Sequence, residues 1–308
     1  MIVLGIGASH APGVLLPVET WAESYQQMTR GVGQPATAKA ETPETNIALR
    51  ARIDKAVGVL RTKLAAARPD LVIIVGDDQN EVFGSPFNPT LAVFCGDAAT
   101  GETLPKYADK PGLNRTLELR CPGDFGRDLA AGLVDRGFDP AVMQEIRPVG
   151  RSAGIGHAFT RPAEFLGIAD AGIPVLPVFL NCYHQPLPSG QRCYELGQAI
   201  ADIADKRPER IAIVASGGLS HDPGGPRAGW IDRSLDEWVL KTIEAGHSSD
   251  LAKLFAFDSE TLAGGTGEIR AWVTLAGAFG DRRAEIVDYI PLHHTVTGLG
   301  FACWPGDE

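Results

Sequence analysis

The stretch IIVGDDQNEVF, Ile73 to Phe83, decides how this chain is read. Its first half continues an apolar, β-branched run, Leu71–Val75, the pattern of a strand buried on both faces. Its second half is a polar turn holding Asp77, Asp78, Gln79 and Glu81. A buried strand that runs out into clustered polar side chains is where α/β sheets place their chemistry. Outward from it, further short apolar runs read as strands: Ile2–Ile6, Leu91–Phe94, Val175–Phe179, Ile211–Val214, Ile286–Tyr289 and Thr297–Ala302, most of them bounded by Gly, Pro or Asp. Helical spacing lies between them. Ile53, Val57, Leu60 and Leu64 mark a helix over residues 46–67, and residues 125–133 and 196–204 are similar. Ile231, Leu235, Trp238 and Ile243 mark another. Thr266 is predicted to cap a helix that buries Ile269, Trp272, Val273 and Ala276. Alternating strands and helices predict an α/β fold, one domain over residues 1–308, with a central mixed or largely parallel sheet flanked by helices.

Two long connections stand out. Residues 19–44 are weakly patterned, and residues 80–115 are rich in Gly, Pro and Asn. Connections of that length inside a compact fold are either binding loops and lids or surface excursions.

The 308 residues carry a net charge of -10, which argues against nucleic acid or an anionic membrane surface as the main partner. The N-terminal stretch MIVLGIGASHAPG lacks a basic region before its apolar run, and no run approaches the roughly 18 apolar residues of a membrane span. The five cysteines are odd in number and form no Cys-x-x-Cys pair, as expected of reduced packing thiols in a cytoplasmic protein.

Polar residues at strand ends are the candidates for function. His10 follows the first strand in GIGASHAPG, and His221 follows another in IVASGGLSHDPGG. Each alone is an ordinary strand-end histidine. Together they point to one shared site, because the ends of parallel strands converge. Glu268, in GGTGEIRAWV, falls where a helix dipole favours a carboxylate, and is also placed to ligate a metal. His157 lies between glycines and a helix start, as a substrate-binding, orienting or capping group. His184 also follows a strand, whereas His247, His293 and His294 carry weaker signals. No phosphate loop, nucleophile elbow or HExxH motif occurs, and GIGASHAPG begins like a dinucleotide fingerprint without completing one.

GASHAP, a strand ending in VGDDQ, SGGLSHDPGG, GGTGEIRAW and TGLGFACW follow one another in this order. That ordered set resembles the LigB-like superfamily, the class III extradiol ring-cleavage dioxygenases, which include the catalytic subunit of protocatechuate 4,5-dioxygenase and gallate dioxygenases. The resemblance implies non-haem Fe(II), with Mn(II) as the alternative, held by two histidines and a glutamate. It implies a catecholic or gallate-like aromatic substrate, O2 as co-substrate, and a homo-oligomer or a small-subunit partner. By motif, His10 corresponds to the first histidine ligand and Glu268 to the glutamate. His221 corresponds to the catalytic acid–base histidine, and His157 to a histidine beside the substrate. Arg151, Arg161 and Arg227 are candidates for pairing with a substrate carboxylate.

The chain departs from the pattern at one place. Where the superfamily carries its second histidine ligand, after an aspartate as in NDH, this sequence has Gln79. Three arrangements stay open: Gln79 ligates through its amide oxygen, Asp78 or Glu81 turns in, or the site is metal-free and Gln79 reads substrate. The functional alternatives are ring cleavage, a non-oxidative hydrolase or lyase on the same scaffold, and a non-catalytic accessory homologue.

Overall fold

The long buried strand of the opening stretch sits in the middle of an eight-stranded sheet. In chain order the elements are β1 (Ile2–Ala8), α1 (Trp21–Met28), α2 (Pro43–Ala67), β2 (Leu71–Gly76), β3 (Leu91–Phe94), β4 (Ala98–Glu102), β5 (Thr116–Arg120), α3 (Gly123–Val134), β6 (Ala141–Met143) and α4 (His157–Phe165). They continue as β7 (Val175–Leu180), α5 (Gly190–Ala204), β8 (Ile211–Ser216), α6 (Arg233–Ala245), α7 (Ile269–Phe279), β9 (Glu285–Leu292) and β10 (Thr297–Pro305). This computed structural model describes residues 1–306.

The sheet order is β6-β3-β7-β2-β8-β1-β10-β9. The four central strands, β7, β2, β8 and β1, run parallel. Antiparallel pairings of β1 with β10, β10 with β9 and β3 with β7 surround them, so the sheet is mixed with a parallel centre. β4 and β5 form a separate hairpin.

Burial on both faces explains the unbroken apolar strands. In β2, Leu71, Ile73 and Val75 join the core shared with α3, α5, α6 and α7, while Val72 and Ile74 join the core shared with α2 and α4. Among the described residues no helix is long and apolar enough to cross a membrane.

The differences from the sequence expectations have local causes. β4 and β5, each five residues long with alternating burial, lie in or beside the long 80–115 connection, where short half-exposed strands give little apolar signal. α1 buries only Trp21, so its periodicity is faint within the 19–44 segment. Thr266 caps no helix. It lies in a 3-10 turn, Gly264–Glu268, and its hydroxyl donates to the His221 carbonyl and accepts from the His221 amide. Tertiary contact has taken the capping hydroxyl.

α5 and α7 pack with little room. A Cβ on Gly197 would run into the Thr274 carbonyl, and one on Gly277 into the Tyr194 carbonyl; backbone cannot yield as a side-chain tip does. Gly197→Ala and Gly277→Ala should each cost about 1–3 kcal/mol through overpacking, read as lower midpoints in urea unfolding.

Candidate active site

The parallel centre brings its carboxyl ends to one edge of the sheet, and the polar residues gather there. His10 lies just past β1, Asp77 directly after β2, Tyr183 past β7 and His221 past β8. His157 is the first residue of α4, and Glu268 sits immediately before α7.

Glu268 is fully buried and in contact with most of the others. Its Oε1 accepts from the Tyr183 hydroxyl at 2.5 Å and from Gln79 Nε2 at 3.1 Å, and lies 3.3 Å from His221 Nε2. Its Oε2 accepts from the Gly218 amide at 2.6 Å and lies 3.4 Å from His10 Nε2. Burial alone would raise this carboxyl, but His221, His10 and the donated hydrogen bonds bring it below the usual carboxylate range. It is ionised. Glycines make this packing possible: a Cβ on Gly218 would lie 2.8 Å from the His221 ring, and one on Gly265 2.5 Å from it.

Each histidine has a defined orientation. His221 donates from Nδ1 to the Leu219 carbonyl at 3.0 Å, leaving Nε2 toward Glu268. Burial would lower its pKa, but the Glu268 carboxylate outweighs that and raises it. His157 donates from its backbone amide at 3.1 Å and from Nδ1 at 2.7 Å to Glu81 Oε2. Against the effect of burial, His157 and Arg161 hold Glu81 down to a pKa of about 2. A carboxylate at Nδ1 makes that nitrogen the donor. His10 has Nδ1 2.8 Å from Ser216 Oγ, and its pKa is lowered well below the ordinary value, chiefly by burial. Its Nε2 lies 3.2 Å from that of His157.

The acidic run after β2 divides its work. Asp78 accepts the backbone N–H groups of Glu81, Val82 and Phe83, which shapes the turn, with Asn80 in the left-handed region. Glu81 orients His157. Asp78 and Glu81, the two alternative ligands suggested by the sequence, are thus committed elsewhere. Gln79 donates its amide nitrogen to Tyr183 Oη at 2.8 Å and to Glu268. Asp77 is 1 % exposed, and neither of its oxygens has a hydrogen-bond partner. Burial, with Glu268, Glu81 and Asp78 nearby, pushes its carboxyl well above the ordinary range. Asp77, His10 and His157 each offer a ligand atom within 4.8 Å of the others.

These residues open onto a cavity of about 870 Å³ lined by His10, Gln79, Glu81, His157 and His221. Both long connections build its walls: Thr20–Met28 supplies α1 residues, and Glu102–Lys110 supplies the opposite side. Lys106, Arg151 and Arg161 give that wall a positive face. Arg161 also donates to the carbonyls of Thr103 and His10. Arg227 lies outside the cavity and faces Asp222 and the Ala263 carbonyl.

Tyr183 and Lys106 escape sequence reading. The signal for Tyr183 is its place in LNCYHQP after β7, where histidine draws the attention; His184 does not line the cavity. The sequence presents Asp77 only as one member of an acidic run.

The carboxyl edge of a parallel-centred α/β sheet thus carries a buried histidine–carboxylate cluster beside a deep cavity. Residues 34–302 match the family model described as the catalytic LigB subunit of aromatic ring-opening dioxygenase. The chain belongs to that family and is an extradiol-type dioxygenase acting on catecholic compounds. It is similar to a protein of Pseudomonas putida named 2,3-dihydroxyphenylpropionate/2,3-dihydroxicinnamic acid 1,2-dioxygenase 1, 28% identical over 301 residues, covering 81% of this chain and 90% of the relative. A Klebsiella pneumoniae (strain 342) protein of the corresponding name is 26% identical over 302 residues, covering 82% and 91%. A crystal structure of an uncharacterized protein from Escherichia coli K12 superposes with a TM-score of 0.52 at 14% identity over 97% of this chain and 99% of the other, a likeness of fold.

Behind His221, Asp236 on α6 accepts from the Ser220 amide and hydroxyl, both at 2.8 Å, and from Tyr289 Oη at 2.6 Å. Burial still pushes its carboxyl up to about 6. A raised native pKa means that the folded state binds the extra proton, so this group's contribution to stability falls as pH rises from about 4 to about 6. The stability difference between wild type and Asp236→Asn should therefore shift across that window by up to about 3 kcal/mol and stay level above it, measured by urea unfolding at successive pH values.

Proposed function

We propose that the chain opens the ring of a catechol bearing an anionic side group, using O2 and a bound divalent metal, Fe(II) or Mn(II). The observation that carries this reading is a buried Glu268 3.4 Å from His10 and a buried Asp77 with no hydrogen-bond partner, packed beneath a cavity that His10 lines and that has a cationic wall. The donor set fits a divalent cation. Imidazole and carboxylate suit Fe(II) and Mn(II), and a carboxylate with no hydrogen bond in a dry interior is costly unless a cation faces it.

His10 and Glu268 would hold the metal, with Gln79 at the place where the superfamily pattern has a second histidine. Such an ion supplies Lewis acidity toward two adjacent hydroxyls and a redox partner for O2. The side chains do the rest. His221 presents only Nε2 to the reacting side, with Nδ1 held by the Leu219 carbonyl. It takes a substrate hydroxyl proton there and returns it as the ring bond next to the diol breaks. Arg161 ties the backbone at His10 to Thr103 and keeps the first histidine in place. Tyr183 keeps its proton, since burial and Glu268 raise its pKa well above the ordinary value, and so remains a donor to Glu268.

The cationic wall supports the side-group assignment. Lys106 and Arg151 form no salt bridge among the described residues. The relatives named above are dioxygenases of 2,3-dihydroxyphenylpropionate, a catechol with a carboxylate side chain. The five cysteines are free and buried, which supports a reducing, cytoplasmic setting.

Oxygen uptake with a panel of catechols under Fe(II) supply tests the reading, and turnover without oxygen consumption would overturn it. His221→Ala should lower kcat by about 100-fold or more while bound metal, counted by elemental analysis, stays unchanged. Lys106→Ala and Arg151→Ala should each raise KM for carboxylated catechols by about tenfold and leave KM for catechol itself nearly unchanged.

A further inference from the structure

Asp77 has no assigned partner. It is buried, its two oxygens accept no hydrogen bond, and one of them lies 3.7 Å from His10 Nε2. The neighbouring turn residues have all found donors: Asp78 holds three backbone amides and Glu81 holds His157. Buried polar groups are satisfied as a rule, and one that is not needs an explanation.

His157 has the form of a metal ligand. Metal-bound histidines commonly donate the second ring nitrogen to a carboxylate, which fixes ring and tautomer. Glu81 does that for Nδ1 and also accepts the backbone amide of the same residue, so the ring is held at two points. Its Nε2 is hydrogen-bonded to His10 Nε2 at 3.2 Å, with the two rings edge to face at 80°. Atoms about 2.1 Å from one ion and at right angles to each other lie about 3 Å apart.

Gln79 is oriented the other way. Its amide nitrogen, which does not coordinate while protonated, faces Glu268, and Tyr183 both accepts from Gln79 and donates to Glu268. Turning the oxygen inward would give up two donated bonds and set it against a carboxylate.

We propose that Asp77 and His157 join His10 and Glu268 as ligands of the divalent cation, and that Gln79 holds Glu268 in place without ligating. The proposal rests on the metal-dependent reading above. It assigns the ligand missing after Asp78 to a carboxylate two residues earlier and to a histidine from α4.

The test is calorimetric titration of Mn(II) and of Co(II) into chelator-stripped protein, with a thermal melt of each variant in EDTA. Asp77→Asn and His157→Asn should each weaken both metals by at least about tenfold, while Gln79→Ala stays within about threefold of wild type. Asp77→Asn should lose the rise in melting temperature that Co(II) gives wild type. Should that variant not fold, Gln79→Ala decides: retained binding supports the set and lost binding overturns it. Wild-type affinity in Asp77→Asn or His157→Asn overturns this ligand set and leaves ring cleavage standing. A wild-type protein that binds neither metal overturns both.

Discussion

A carboxylate with no access to water must be surrounded by donors, and that requirement on Glu268 organises the active edge of this protein. Tyr183, Gln79 and the Gly218 amide donate to it, and His10 and His221 approach it from two strands. None of these groups is close to another in sequence, apart from Gly218 and His221. They meet because β7, β2, β8 and β1 are parallel neighbours whose ends share one edge. A register slip in any of these strands would exchange its two buried faces and withdraw its site residue at the same time.

Around that carboxylate the roles separate by chemistry. Groups fixed by second contacts form a rigid floor: Ser216 on His10, Glu81 on His157, Leu219 on His221, Asp236 behind Ser220. Preorganised donors and bases of this kind need no reorganisation when charge moves during a reaction. The walls are different. They come largely from α1 and from the segment around Lys106, which belong to the two long connections, with Arg151 beside them. The part of the chain with the least regular structure thus lines the cavity above a rigid scaffold.

The glycines fit this division. Gly218 and Gly265 leave room for the His221 ring on two sides, and Gly197 and Gly277 let α5 and α7 close up beneath the sheet. One pair serves the site and the other the support under it.

Much of this was legible in the sequence. Unbroken apolar runs such as Leu71–Val75 identify strands buried on both faces, because only a sheet covered on both sides tolerates them. Small residues before His10 and His221 mark strand ends with close approach, and the order of GASHAP, SGGLSH and GGTGEIR marks the family. β4, β5, β6 and α1 were not legible, because short or single-contact elements carry almost no periodic signal. Thr266 was misread because a side-chain hydroxyl takes whichever partner folding supplies, here the backbone of His221. The sequence by itself determined the buried strands of the sheet, its longer helices and the chemical kinds of residue at its edge, since burial and periodicity act locally along the chain. Which of Asp77, Gln79 and Glu81 stays unpartnered was decided only by the tertiary structure: Asp78 takes amides of its own turn, but the donor to Glu81 comes from α4 and the acceptors for Gln79 from beyond β7 and the turn before α7, far away in sequence.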